Sequence, residues 1–219
     1  MITQIYEVGN PNEARQLVEV GVDHIGVLVG DGEFPRELSI EKAKEIFNAV
    51  STAKKVALSL ASDLEKIEQI IIYLNPDILH LGVLPEMITP NDVKKLKQKF
   101  PQVKIMRSIP VIGEESIYLA KQYDGIADYL LLDNHRKDDN QVGATGLTHD
   151  WSISKKIVDS VKIPVILAGG LGVENVAESI LQVRPYGVDS KTKTDKLGSH
   201  EKDIDKVKKF VEIAKSTPG

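Results

Sequence analysis

The chain has 219 residues, 42% of them hydrophobic, and a formal net charge of −4. That length suits one barrel-sized domain better than two, and the apolar share is enough to fill a large core. The acidic balance argues against a general nucleic-acid or anionic-membrane binder, and the absence of cysteine excludes disulfides, thiolate metal sites and a cysteine nucleophile.

The first residues, MITQIYEVGN, lack the basic-then-apolar layout of a secretory signal, and no apolar run reaches membrane-spanning length, so a cytoplasmic protein is expected. From there short β-rich runs alternate with longer helical patterns. The first strand is predicted over residues 3–8, closing near a turn at Gly9-Asn10-Pro11. Asn10 then caps a helix that begins at Pro11 and turns Ala14, Leu17 and Val18 inward. Further strands are predicted over 24–29, 55–61, 77–83, 103–109, 128–134, 164–170 and 186–192, with helices over 40–50, 63–74, 90–99, 114–122, 152–160, 173–181 and 201–215. The strands are near-continuous apolar runs, as in a parallel sheet covered on both faces. Eight βα units in series predict an α/β fold, a (β/α)8 TIM barrel forming a single domain over residues 1–219. The competing layout, an open doubly wound sheet for a dinucleotide, would want GxGxxG after the first strand, where this chain has GNPNEA. The polar run 136–141 reads as a mobile loop after the sixth strand.

Barrel chemistry sits where the strands end, so those residues are the candidates. Asp133 closes the apolar run YLLL, where partial desolvation can raise a carboxyl pKa far enough for acid–base work; its other role would be a helix cap or a partner for Arg136. Two glycine-rich segments, GATG (143–146) and AGGLGVENV (168–176), can bring backbone N–H groups close to an anion, or can simply be tight turns. Lys191 and Lys193 close the eighth strand beside that corner, where they can meet a phosphate or only solvate the loop. Arg36, in GEFPREL, is a candidate carboxylate or phosphate clamp, and Arg107 at the end of the fifth strand is the next basic candidate. His80, alone in the fourth strand, reads as a core group, and His149 with Trp151 reads as packing and capping. No His/Asp/Glu cluster has metal-ligand spacing, so neither a metal nor a cofactor is expected.

The segments LLLDN…VGATGLTHDWS, IPVILAGGLGVENVAESI and VRPYGVD, in this order and spacing, resemble the phosphoribosylanthranilate isomerases of tryptophan biosynthesis. The pattern of that family runs roughly LLLD, GGTGxxFDW, LAGGLxPENV and PxGVD. The earlier half is compatible, with FPRELSIEKAKEI resembling the second unit of the family. The resemblance implies an Amadori rearrangement: a general acid protonates the furanose oxygen, the ring opens to a Schiff base, and a base takes the C2 proton. It gives Asp133 the acid role and Arg36 the grip on the anthranilate carboxylate. It also puts the phosphate on the backbone around Gly169, Gly170, Thr192 and Lys193. Read from their places alone, Gly143, Gly146, Asp189, Lys191 and Arg107 are further candidate substrate contacts.

The departures fall on other strands. Where the family has KxCG at the end of the first strand, Gln4 stands for the lysine, Tyr6 for the basic cysteine and Glu7 for the glycine. Tyrosine titrates near about 10 and is bulkier than cysteine, while strand alternation is expected to point Glu7 away from Tyr6. Either is the candidate base. Gly82 stands where the family has histidine, and KTKTD (191–195) replaces SSGVE. Three readings follow: an isomerase with an unusual base, a related enzyme acting on another sugar phosphate, or a non-catalytic phosphate binder. The expected partner in each is a phosphorylated small molecule, with no nucleic acid and no membrane, on a monomer or homodimer.

Overall fold

The computed structural model describes residues 1–134, 142 and 148–219, so Gly143, Gly146 and the loop read at 136–141 lie outside the described residues. Eight parallel strands follow one another around a closed barrel. They are β1 (Ile2–Ile5), β2 (His24–Leu28), β3 (Lys54–Ser59), β4 (Ile78–Leu81), β5 (Lys104–Pro110), β6 (Tyr129–Asp133), β7 (Val165–Leu167) and β8 (Gly187–Ser190). β1 pairs with β2 on one side and β8 on the other, which closes the sheet. The outer ring is α1 (Pro11–Glu19), α2 (Ile40–Asn48), α3 (Leu64–Leu74), α4 (Pro90–Lys99), α5 (Glu115–Tyr123), α6 (Trp151–Ser160), α7 (Val176–Val183) and α8 (Ile204–Ser216). Among the described residues, no helix is long and apolar enough to cross a membrane.

Local chemistry sets the helix starts. Asn10 accepts from the Glu13 N–H ahead of Pro11, and Thr89 forms a reciprocal capping box with Asp92. Asp203 caps α8, so that helix begins three residues later than its charge pattern suggested. Three strands stop short of their apolar runs for a backbone reason. β1 ends before Glu7 (φ 56°), β7 before Gly169 and Gly170 (φ 84° and 64°), and β8 before a short 3-10 turn at Thr192–Thr194. Each left-handed residue breaks the extended pairing and opens the mouth of the barrel.

The two faces of each strand divide the core. One set, including Ile25, Ala57, Leu79, Ile105, Leu130 and Leu167, packs against the helices. The other, Tyr6, Val56, Ile78, Met106, Leu131, Ile166 and Ala168, fills the barrel axis. At the opposite end from the mouth, an aspartate just before each of three strands accepts the backbone N–H of the preceding one. Asp23 takes Thr3, Asp77 takes Lys55 and Asp128 takes Ile105, at 2.8–2.9 Å.

Burial alone would raise the Asp128 carboxyl, but the Ile105 N–H, Lys97 and Lys104 outweigh it and hold it below its usual range. Asp128→Ala is therefore expected to lower stability by about 1–3 kcal/mol at neutral pH, measured by urea unfolding. The deficit should shrink as pH falls through the depressed titration of the carboxyl, because wild type then loses the same contribution.

Candidate active site

Beyond β1 the chain delivers Tyr6 to the barrel axis. Its ring lies against the backbone of β2 at Gly26, where a Cβ would stand 2.2 Å from a ring carbon. Its hydroxyl is hydrogen-bonded to His80 Nδ1 at 2.5 Å, and His80 Nε2 to Ser108 Oγ at 2.6 Å. Burial, helped by Arg107, pushes His80 down to about 3, so the imidazole is neutral. Burial and then Asp189 push the Tyr6 phenol well above its usual value. A phenol so placed keeps its proton, which argues against Tyr6 as the base and makes it the floor of the site.

The next residue turns the opposite way from the strand rule. The left-handed backbone of Glu7 breaks the alternation, and Tyr6 and Glu7 line the same cavity. The expectation that Glu7 points away from Tyr6 is corrected on that ground. Arg36, also left-handed (φ 69°), closes its fork on the Glu7 carboxylate through Nε and through Nη2 at 3.1 Å. Lys191 approaches the same carboxylate at 3.2 Å and Asp195 at 3.0 Å, and Asp195 meets the fully buried Lys202 at 2.5 Å. Five charges of alternating sign thus run across the mouth. Burial would raise the Glu7 carboxyl, but Arg36 and Lys191 outweigh it, so it is held ionised.

The cavity measures about 310 Å³ and is walled on one side by Leu28, Phe34, Pro35, Leu58, Leu60 and Leu131. Asp133 joins that lining from the inward face of β6, beside Leu131. Burial pushes its carboxyl up to about 7, against the 2.7 Å hydrogen bond from the Asn134 N–H. Asp189 lies deeper, accepts from Gln4 Nε2 at 3.3 Å, and is pushed well up by burial and then by Asp133. Like charges this close do not both ionise, so the pair keeps at least one proton at neutral pH.

A narrow cleft continues from Asp133 and Asp189 to Gly169, Gly170, Ser190, Lys191, Thr192 and Lys193. Gly169 has a second reason to lack a side chain: a Cβ there would lie 2.8 Å from His149 Nδ1 and 3.1 Å from Asp133 Oδ1. Two left-handed glycines and two lysines line this cleft, with Lys191 paired to Glu7 and Asp195 and Lys193 to Glu174 at 3.1 Å.

The structure brings together Tyr6, Glu7, Arg36, Asp133, Gly169, Gly170, Asp189, Lys191, Thr192 and Lys193 in these two connected spaces. It leaves Arg107 out, which corrects the reading of that residue as a substrate contact. Met106 and Ser108 face the axis, so Arg107 faces the helices, and its guanidinium donates to the Leu81 and Val83 carbonyls beside the Tyr123 ring. Sequence reasoning missed Gly26, although a glycine inside a strand signals close approach of another group. It also missed Asp195 and Lys202, which are distant from the strand ends and matter only through the charge chain. Among the described residues no three His, Asp or Glu side chains are grouped to hold a metal ion.

The model of the N-(5'phosphoribosyl)anthranilate (PRA) isomerase family matches residues 5–213. The N-(5'-phosphoribosyl)anthranilate isomerase 2 of Methanosarcina mazei is 36% identical over 90% of this chain and 86% of its own length. The N-(5'-phosphoribosyl)anthranilate isomerase structure from Pyrococcus furiosus superposes with a TM-score of 0.76 at 28% identity, covering 98% of each chain. A phosphoribosyl anthranilate isomerase solved with reduced 1-(o-carboxyphenylamino)-1-deoxyribulose 5-phosphate has a TM-score of 0.77 at 24% identity, covering 98% of this chain and 99% of that one, a likeness of fold.

The folded protein keeps the Asp133 proton up to about pH 7, whereas the unfolded chain loses it near the ordinary carboxyl value of 3.8. This stabilisation is complete below the unfolded value and is lost as pH rises through the folded one. Asp133→Asn should therefore raise stability by about 2 kcal/mol above pH 7 and change little near pH 4, read as a difference in Tm that opens with pH.

Proposed function

The chain belongs to the N-(5'-phosphoribosyl)anthranilate isomerase family, and from that premise we propose that it catalyses the Amadori rearrangement of phosphoribosylanthranilate. The observation that carries this reading is a raised carboxyl, Asp133, standing where a 310 Å³ cavity with an apolar wall meets a phosphate-sized cleft. An aryl ring fits the wall of Phe34, Leu58 and Leu60, and its carboxylate fits the Arg36 fork. The 5-phosphate fits the backbone of Gly169 and Gly170 with Thr192 and Lys193, which fixes the ribose between the two ends.

In that pose Asp133 gives its proton to the furanose oxygen as the C1–O bond breaks. The amine lone pair forms the C1=N bond and a protonated Schiff base results. A base then removes the proton from C2, that C–H pair becomes the C1=C2 bond, and the iminium pair returns to nitrogen. The enol so formed becomes the C2 ketone when C1 is protonated. Asp133 near 7 suits the first step, being protonated in about half the molecules at neutral pH. Such an enzyme would work in the cytoplasm and needs no cofactor for this chemistry. The second reading, another sugar phosphate, is favoured by one observation: the Arg36 fork is already closed on Glu7.

The test is purified protein with freshly made phosphoribosylanthranilate, following the fall in substrate fluorescence. Turnover is expected, with kcat/KM falling roughly 10²–10⁴-fold in Asp133→Asn. In wild type kcat/KM should decline above about pH 7, as the acid loses its proton. A folded protein that binds phosphate but leaves this substrate untouched would favour another sugar phosphate.

A further inference from the structure

We infer that Glu7 is the general base, and that the substrate's own carboxylate unmasks it by taking its place on Arg36. This rests on the isomerase reading above. Arg36 is the arginine lining the cavity among the described residues, and its fork already holds a carboxylate by two donors. A fork that holds the Glu7 carboxylate will accept another of the same geometry, so exchange swaps one bidentate pair for an equivalent one. Glu7 and Arg36 both sit in left-handed backbone, which turns their side chains toward each other across the mouth. Each such residue costs about 1–2 kcal/mol, roughly what a charge-assisted pair returns, so the contact is retained without being locked.

Displaced from Arg36, Glu7 is not lost to solvent. Lys191 remains 3.2 Å from its Oε2 and is itself anchored on Asp195 at 3.0 Å, so the carboxylate stays ionised at the mouth. Losing one of its two cations makes it a stronger base at the moment the substrate is seated. The other groups facing the cavity are less suited. The Tyr6 hydroxyl is held by His80, both His80 nitrogens are engaged, and Asp189 lies deeper on Gln4 beside the negative charge that Asp133 gains. The step balances within the rearrangement: Glu7 takes the C2 proton as the C–H pair forms C1=C2 and gives it to C1 as the ketone forms, while the C2 hydroxyl proton released in that step replaces the one Asp133 gave to the ring oxygen.

The experiment compares wild type, Glu7→Gln and Glu7→Gly in turnover of phosphoribosylanthranilate and in binding of the reduced product analogue, 1-(o-carboxyphenylamino)-1-deoxyribulose 5-phosphate. The glycine variant suits the left-handed backbone and covers the case in which glutamine there fails to fold. Both variants should lose kcat roughly 10²–10⁴-fold. Both should bind the analogue more tightly, by about tenfold in the glycine variant, because Arg36 no longer has an internal competitor. Weakened binding together with lost turnover would mark Glu7 as merely structural and overturn the assignment. Turnover intact in the variants would overturn it while leaving the isomerase reading in place. A wild type that binds the analogue without turning over phosphoribosylanthranilate would overturn the isomerase reading and this assignment with it.

Discussion

The charge chain from Arg36 through Glu7, Lys191 and Asp195 to Lys202 organises the mouth of this barrel. Its inner end is dry, with Lys202 fully buried and Asp195 nearly so. Removing one member of such a buried pair typically costs about 3–5 kcal/mol, because the survivor is left as an uncompensated charge. The Lys202 backbone N–H also donates to Glu13 Oε1, while Glu13 Oε2 takes the Gly9 N–H. The loop after β8 is thereby tied to the turn after β1, the seam where the sheet closes. The outer end of the chain is wetter, with Arg36 about a third exposed, so its pairing is weaker and exchangeable. A rigid inner end and a yielding outer end follow from the same row of residues.

That gradient explains why Glu7 tolerates its backbone. A glycine would be at ease at φ 56°, and the resembling family has one there, but glycine supplies no charge. Lys193 finds its own partner in Glu174, while a lysine at position 191, where that family has serine, gives the mouth a cation that calls for a nearby carboxylate. Glu7 supplies it. Glu7 of the first strand's end and Lys191 of the eighth's are physically coupled by the 3.2 Å contact between them. Tyr6 and Gly26 form a second coupled pair, a large ring admitted because the adjacent strand has no side chain to oppose it.

The eight-stranded order was legible because each strand and helix announces itself locally, through apolar runs, caps and prolines. Asp133 and the glycines after β7 were legible because a position rule places chemistry at strand ends. Arg107 fails that position rule, since β5 runs on to Pro110, and fails on parity as well: the inward side chains of β5 are Met106 and Ser108, and a single residue's shift sends a guanidinium to the helices. Glu7 fails in the opposite sense, because parity was applied across a left-handed residue that no propensity marks when it is glutamate. The charge chain was illegible for a different reason. Its members are scattered from residue 7 to residue 202, and only closure of the barrel makes them neighbours.

The remaining physical question is why Asp133, and not Asp189, should be the proton donor. Both are pushed upward by burial, and each discourages ionisation of the other. Asp189 is the more buried, held by Gln4 at the floor, and is pushed upward by burial first and by Asp133 second. Asp133 stands half-buried where cavity and cleft join, with one backbone N–H already on its Oδ1 to receive the charge that donation leaves behind. A proton held at Asp189 is thus the stable reserve, and the one at Asp133 is the one that can leave. Donation from the mouth while the deeper carboxyl stays neutral takes the pair from no charge to a single negative charge and never to two, so the ring can open without placing two bare carboxylates side by side.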